Sequence, residues 1–441
     1  MLGDCLELLP SIATASVDAI VTDPPYGLEF MGKEWDRFAP ETKYRGEPAD
    51  TRKAVSTDDR APSSRHHVSF PMGHPTFRRC TRCGKREFSG SPCRCADPVW
   101  VYEQPEGTPT KMAAYQAWCE AWARETWRVA KPGAHLVSFG GTRTYHRLTC
   151  AIEDAGWDIR DSIGNLMLYG WIYGQGYPKS HNGPWGGTGL KPAWEPIILA
   201  RKPLEGTVAA TFAAHGTGGL NVDACRIEGP AGSGVWGSSN ATVERERTFN
   251  ASPEDAEYRS ERHPAGRWPP NVAIDEAAAA ALDAQAGELA SGAGTVSRRP
   301  AGSLGNAFGA ESRPPGTEMI AYGDAGGASR FYYCAMASRA EREWGLESLP
   351  APRPGRPKND HPTVKPVALL RWLVRLVTPT FRLVDGQSAL VLDPFVGSGT
   401  TGMACHLEGI RFLGMEQDAA YVEIARRRIA QAGAQPDLFR P

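Results

Sequence analysis

Residues 21 to 27 read VTDPPYG. Two adjacent prolines fit neither a helix interior nor a central strand. The apolar run VDAIV before them therefore reads as a buried strand that stops abruptly at Asp23. A carboxylate, the rigid Pro24-Pro25 pair and the aromatic Tyr26 are left side by side at its end. Far downstream, LVLDPFVGSGTT follows an apolar strand and opens a helix, the setting that a nucleotide-type glycine turn requires. Gly397 and Gly399 let the backbone approach a ligand without a Cβ in the way. The helix start beyond them offers free N–H groups to a carboxylate or phosphate. Glu416, at the end of the next strand, stands 23 residues after Asp393 (416 − 393). An acid there commonly binds both ribose hydroxyls of an adenosine cofactor. A plain strand–helix turn with a solvated acid is the competing explanation.

The glycine pattern is FxGxG, not GxGxxG, which argues against NAD, and no GK[ST] element supports ATP. An adenosine carrying a short charged amino acid fits better, namely S-adenosylmethionine. A third group is CTRCGKREFSGSPCRC, which sets Cys80, Cys83, Cys93 and Cys95 at C-x2-C and C-x-C spacing. Four thiolates so spaced suit a tetrahedral structural zinc knuckle, with disulfides as the alternative. Six basic residues and one acid lie between Arg78 and Cys95, a patch that suits phosphate contact or a solvated face equally well.

Taken together, DPPYG and DPFVGSGT resemble the amino-methyltransferases of DNA, which modify N6 of adenine or N4 of cytosine. GDCLELL at the start, WRVAKPGAHLVSFGG and HPTVKP resemble further segments of that family. The catalytic motif precedes the cofactor motif, as in the beta group. The likeness covers roughly residues 1–35, 110–205 and 329–432. It implies a doubly wound α/β fold with a mixed sheet and circularly permuted motif order. It implies double-stranded DNA as partner and catalysis by Asp23, Pro24, Pro25 and Tyr26. Asp23 and the Pro24 carbonyl would accept the two N–H groups of a flipped-out base, and Tyr26 would stack on it. Asp393, Phe395, Gly397, Ser398, Gly399, Thr400 and Glu416 would hold the cofactor. Ser398 and Thr400 would take its carboxylate, unless they only cap the helix.

Thr363 and Lys365 of HPTVKP would wall the methionine end of the cofactor, a solvated helix-start lysine being the alternative for Lys365. Asp4 would lie near the adenine. The family has a full strand before this acid, whereas only Met1 and Leu2 precede Gly3, so that edge strand is truncated or the start lies upstream. Asp in the catalytic motif is commoner for adenine N6, and Ser for cytosine N4. Adenine is therefore the expected base. Cytosine N4, an idle DNA-binding or anti-restriction protein on the same fold, and a methyltransferase of RNA or of protein glutamine are the rivals.

The elements that must position these residues follow from periodicity. CLELLPSI reads as a short helix and Val17–Thr22 as a strand. YQAWCEAWARETWRV is a helix ended by Pro132-Gly133, with Trp118, Trp122 and Val129 on one core-facing side. AHLVSFGG is a strand, TYHRLTCAIEDAG a helix and WDIRDSI a strand, an alternation that argues for a parallel sheet. His135 and His146 read as structural residues on this framework. Residues 36–110 are too long for a bare loop and read as an insertion. Residues 111–205 continue the sheet, 206–328 form an irregular target-recognition region, and 329–441 carry the cofactor motif. Within these, 276–285 is an Ala-rich helix, 291–330 a flexible Gly/Ser/Pro stretch, SRFYYCAMAS strand-like, and TVKPVALLRWLVRLVTP an amphipathic helix. RRR at 426–428 reads as a solvated helix face.

The whole chain sets the outer limits. At 441 residues it can bury a large core, and 41% hydrophobic with 22% charged residues is an ordinary composition. With 49 basic and 50 acidic residues and a formal charge of −1, any DNA contact must use local patches. No apolar run long enough for a membrane helix is present, and MLGDCLELL has no basic leader pattern, so a cytoplasmic location is expected. No nuclease motif is visible, so a cleaving partner would be a separate chain. A homodimer is left open.

Overall fold

The computed structural model describes residues 1–27, 77–83, 93, 95–97, 99–103, 111–166, 193–229, 266–290, 295–297, 318–320, 324–335, 339–349, 358–359, 361, 364–378 and 387–434. In chain order the strands are β1 Val17–Thr22, β2 Phe77–Cys80, β3 Trp100–Glu103, β4 Ala130–Phe139, β5 Asp158–Leu166, β6 Trp194–Arg201, β7 Val272–Asp275, β8 Leu289–Ala290, β9 Thr295–Ser297, β10 Glu318–Ile320, β11 Ala325–Gly326, β12 Tyr333–Ala335, β13 Leu390–Asp393 and β14 Arg411–Gly414. The α-helices are α1 Cys5–Leu8, α2 Lys111–Val129, α3 Tyr145–Asp154, α4 Val208–His215, α5 Glu276–Ala286, α6 Val367–Val377, α7 Thr400–Leu407 and α8 Ala419–Ala434.

Eight strands form one mixed sheet in the order β12-β7-β5-β6-β4-β1-β13-β14. Every residue of β1 is buried, as expected of a central strand covered on both faces. β1 pairs in parallel with β4 on one side and β13 on the other, with Ala19 opposite Val391 and Ile20 opposite Leu392. The chain leaves β1 toward β4 and leaves β13 toward β14, so the strand order switches between β1 and β13. Ligands of open α/β sheets bind beyond the carboxyl ends of strands at such a switch. Asp18, buried on β1, fixes the other end of these strands: its carboxylate accepts from Lys131 Nζ of β4 at 2.7 Å and from the Leu390 amide of β13 at 2.7 Å.

The chain forms two compact units, residues 1–36 with 116–441 and residues 37–115. The second unit contains the antiparallel hairpin of β2 and β3, with Cys80 opposite Trp100. Among the described residues, no helix is long and apolar enough to cross a membrane.

Several sequence expectations are corrected. β5 does not lie beside β4: β6 runs antiparallel between them, so the alternating strand–helix pattern does not make a purely parallel sheet. β7, from the stretch read as irregular, pairs with β5 and β12 in the main sheet. β4 begins at Ala130, ahead of Pro132-Gly133. The register jumps there, from Val17 opposite Ala130 to Ala19 opposite His135, and Gly133 takes a left-handed φ of +74°. The irregularity absorbs the proline that the sequence reading took as a stop. α6 is buried nearly all round, and only Ala368, Arg371 and Arg375 keep partial exposure. The two arginines pair with Glu408 at 2.6 and 3.4 Å. Arg428, read as solvated, is fully buried.

Candidate active site

The carboxyl end of β1 delivers Asp23 into a network of four polar side chains. Tyr26 Oη lies 2.8 Å from Asp23 Oδ1 and 2.5 Å from Glu195 Oε1. Lys365 Nζ lies 2.8 Å from Asp23 Oδ2, 3.0 Å from Glu195 Oε1 and 3.1 Å from Tyr26 Oη. Glu195 is the second residue of β6, and Lys365 stands just before α6. Both are almost completely buried, whereas the Asp23 side chain keeps 19% exposure. Burial opposes the Lys365 ammonium, but Asp23 and Glu195 outweigh it and hold its pKa above the ordinary lysine value. Burial, with Asp23 adding to it, pushes Glu195 up against the opposing pull of Lys365.

Next to Asp23 across the switch stands Asp393, the last residue of β13. Thr22 Oγ1 donates to its Oδ1 at 2.6 Å, and the Phe395 amide donates to the same oxygen at 3.0 Å. Burial raises Asp393 to about 6 in spite of these donors. The turn that follows needs its glycines. Gly397 has φ +50°, and a Cβ there would sit 2.7 Å from His361 Nε2. Gly399 caps α7 with φ +87°, and a Cβ there would meet the Ala425 backbone at 2.8 Å. Phe395 packs its ring against Trp118 and Trp122 of α2, with centroids 5.4 and 5.6 Å apart.

Behind the turn, Arg428 Nη1 donates to Ser398 O at 2.6 Å, Ser398 Oγ at 3.1 Å and Thr400 Oγ1 at 3.2 Å, while its Nη2 donates to Glu341 O at 3.0 Å. Burial lowers this guanidinium to about 10. Glu416 accepts from the Gly397 amide at 3.0 Å and from the Asp418 amide at 2.9 Å, one bond to each carboxylate oxygen. A carboxylate offers about four acceptor directions; with the Gln417 amide also acting on it, Glu416 still keeps one for a further donor. Burial raises Glu416, and these amides oppose the shift.

A pocket opens between the two strand ends. Asp23, Lys365, Asp393, Phe395, Gly397 and Ser398 are among the residues that line it. The sequence-predicted acid of the catalytic motif and the glycine turn therefore share one cavity. Lys365 is brought against Asp23, and Thr363 falls outside the described residues. Asp4 is exposed, and its carboxylate accepts from the Leu6 amide at 2.8 Å as the cap of α1. It stays close to Glu416 in the fold, because Leu2 bridges to Glu416 and the Gly3 amide donates to Glu416 O at 2.9 Å.

In the second unit, the sulfur atoms of Cys80, Cys83, Cys93 and Cys95 all lie within 4.8 Å of one another. Cys80 and Cys95 approach to 3.9 Å, and Cys83 and Cys93 to 3.4 Å. His135 is buried on β4, where burial and then Arg201 and Arg160 lower it to about 3. His146 is exposed on α3.

The sequence reading missed Glu195, His361 and Arg428. Helical spacing could have found Arg428, since it falls in line with the buried Tyr421, Ile424, Ala425 and Ala432. Nothing local marks Glu195, which stands just before Pro196 in the part of the chain that reads only as a continuation of the sheet.

A family model described as DNA methylase, of the N6/N4 methyltransferase type, matches residues 17–427. The type II methyltransferase M.HindIII of Haemophilus influenzae is 23% identical over 232 residues, 50% of this chain and 63% of that protein. The type II methyltransferase M2.DpnII of Streptococcus pneumoniae is 41% identical over 69 residues, 16% of this chain and 23% of that protein. The chain thus spans less than two thirds of the length of these curated relatives. Among solved structures, the cytosine-N4-specific PvuII DNA methyltransferase is 12% identical with a TM-score of 0.38, covering 97% of this chain and 84% of that one.

Proposed function

The chain belongs to the N6/N4 DNA methylase family, and from that premise we propose that it transfers a methyl group from S-adenosylmethionine to N6 of an adenine flipped out of duplex DNA. The observation that carries this reading is the shared cavity of Asp23 and the Asp393–Thr400 turn, at the point where the strand order switches. The bound cofactor supplies an electrophilic methyl group on a sulfonium. The residues present fit it: the left-handed Gly397 and Gly399 make a turn so tight that a Cβ would strike His361 or the Ala425 backbone, Gly397 and Ser398 of that turn line the cavity, and Glu416 retains acceptor capacity for a ribose hydroxyl. Ser398 and Thr400, backed by the buried Arg428 cation, suit the cofactor carboxylate.

An exocyclic base amine is a poor nucleophile because its lone pair is delocalised into the ring. Asp23 and the Pro24 carbonyl, accepting its two N–H bonds, favour a tetrahedral nitrogen with the lone pair aimed at the methyl group. Pro25 stiffens the backbone after that carbonyl. Tyr26 is held by its hydroxyl against Asp23 and Glu195, which fixes the ring on which the base stacks. Asp23, where cytosine enzymes more often carry Ser, supports adenine as the target.

The Cys80, Cys83, Cys93 and Cys95 set is assigned in the same reading to one structural zinc ion. Zinc–thiolate bonds of about 2.3 Å in a tetrahedron put the sulfur atoms about 3.8 Å apart, close to the 3.4 and 3.9 Å separations. The test of the whole reading is to express the chain in cells lacking their own DNA methylases and to sequence their DNA by a method that detects modified bases. N6-methyladenine at one short motif is expected. N4-methylcytosine would overturn the choice of base, and unmodified DNA would overturn the activity.

A further inference from the structure

The polar network around Asp23 does not balance with both carboxylates ionised. Lys365 carries three protons and Tyr26 one. The three lysine protons are taken up by Asp23 Oδ2, Glu195 Oε1 and the Tyr26 oxygen. The single Tyr26 proton then faces two acceptors, Asp23 Oδ1 at 2.8 Å and Glu195 Oε1 at 2.5 Å. It can serve one of them. The other approach would set two bare oxygens against each other at hydrogen-bond distance, which is repulsive. One more proton is needed, on Asp23 or on Glu195.

Solvation chooses between them. The Asp23 side chain is 19% exposed and lines the pocket, whereas that of Glu195 is 1% exposed. Among the described residues, nothing hydrogen-bonds Glu195 Oε2, which is buried. A bare carboxylate oxygen in that position is costly, and an uncharged carboxyl group far less so. We propose that Glu195 is protonated in the working enzyme and acts as a positioning residue, its O–H directed at the Tyr26 oxygen. Tyr26 then turns its own proton onto Asp23, and the charge of Lys365 belongs to Asp23 alone. Asp23 stays ionised and fixed in orientation, with acceptor directions left for the amine. An ionised Glu195 would instead compete with Asp23 for both donors.

Burial and Asp23 act on Glu195 in the direction this requires, against Lys365. Among the described residues, the titratable groups that act on Glu195 are Lys365, Asp23 and Tyr26. On the β5 side its register partner is the neutral Asn165, and Gly140, just beyond β4, donates to the backbone of the next residue, Pro196.

The role of Glu195 rests on the proposed methyl transfer, and the test separates the two. Transfer of labelled methyl from S-adenosylmethionine to unmethylated genomic DNA is followed from acid to alkaline pH in the wild type, Glu195→Gln and Glu195→Ala. Glutamine keeps the neutral donor and acceptor of a protonated glutamate. The wild-type rate should fall on the alkaline side as Glu195 ionises. Glu195→Gln should lack that fall and, at neutral pH, run roughly tenfold or more above Glu195→Ala, the scale set by misplacing a catalytic group. The same alkaline fall in Glu195→Gln, no fall in the wild type, or equal rates for both variants overturns the proposal. The wild type alone gives a second measure: an infrared band of a protonated carboxyl should persist at about pH 8, where ordinary carboxylates are ionised, and its absence overturns the assignment. If no DNA accepts label from the wild type, the methyltransferase reading fails while the infrared result still decides the state of Glu195.

Discussion

Arg428 donates to the carbonyl oxygen of Ser398 at 2.6 Å from a position with no exposure to solvent. A charged side chain from α8 thus holds the glycine turn from behind, and the same guanidinium reaches the Glu341 carbonyl. Replacing it with a residue of similar length and no charge, Arg428→Met, leaves both carbonyls without this donor. The expected loss of stability is roughly 2–5 kcal/mol, the range for removing one side of a buried polar arrangement. Urea unfolding measures it. A change below about 0.5 kcal/mol, the level of a neutral surface substitution, would mean that the turn holds its shape unaided.

Asp23 and Asp393 were legible in the sequence because each is announced locally. A short apolar run fixes a buried strand, and proline or glycine immediately after it fixes where the strand must stop. Their adjacency followed from the rule for switch points and is borne out by the β1–β13 pairing. Glu195 and β6 were not legible. Pro196 sits inside β6 and breaks the usual expectation for a central strand, and antiparallel insertion between β4 and β5 leaves no local trace. Arg428 was hidden by its neighbours: Arg426 is exposed and Arg427 partly so, so the run reads as solvated although the third member points inward. A network assembled from three distant segments has no spacing to read.

Asp23→Ala should abolish methyl transfer while leaving cofactor affinity within about threefold. The lost acceptor is needed when charge develops on the amine, and groups of that kind cost roughly 10²–10³-fold when removed. Single-turnover kinetics with labelled cofactor, beside calorimetric titration of S-adenosylmethionine, separates the two effects. Undiminished turnover in Asp23→Ala would remove the catalytic assignment.

Glu416→Ala removes the acceptor of the Gly397 and Asp418 amides and, in the proposed complex, the partner of the ribose. S-adenosylmethionine should bind more weakly by roughly 1–3 kcal/mol, the scale of hydrogen bonds to a charged group. Glu416→Gln should recover part of the loss, since its carbonyl still accepts. Calorimetry that finds equal affinity in all three proteins would leave Glu416 with a purely structural role in the turn.

Asp393 links stability to pH. Burial raises it from 3.8 to about 6 in the folded protein, so between about pH 4 and 6 the folded state holds a proton that the unfolded chain has released. Its contribution is complete below pH 4 and is lost as pH rises through about 6. A shift of about two units corresponds to roughly 3 kcal/mol. Asp393→Asn cannot titrate, so the stability difference between wild type and variant should move by that order between pH 4 and 7, against the wild type. Parallel stability curves for the two proteins would show that Asp393 does not titrate in this range.

The four cysteines make the last prediction, which concerns the second unit alone. Cys80 ends one strand of a two-stranded hairpin, and an isolated hairpin is marginal in water. A tetrahedral ion bound by Cys80, Cys83, Cys93 and Cys95 would supply the missing free energy of folding. Four thiolates also fill the coordination sphere, which suits a structural ion and leaves no open position for a reacting group. The purified chain should contain one zinc per molecule, and a mercurial that blocks thiols should release it. Cys80→Ser and Cys93→Ser should each lose most of the metal, and amide exchange in residues 77–83 and 99–103 should quicken. Cofactor affinity should change by less than about threefold on metal removal, because the glycine turn belongs to the other unit. Metal-free protein with slow exchange in the hairpin would point to disulfides or to a self-sufficient fold. Thiol titration under denaturing conditions would then tell the two apart.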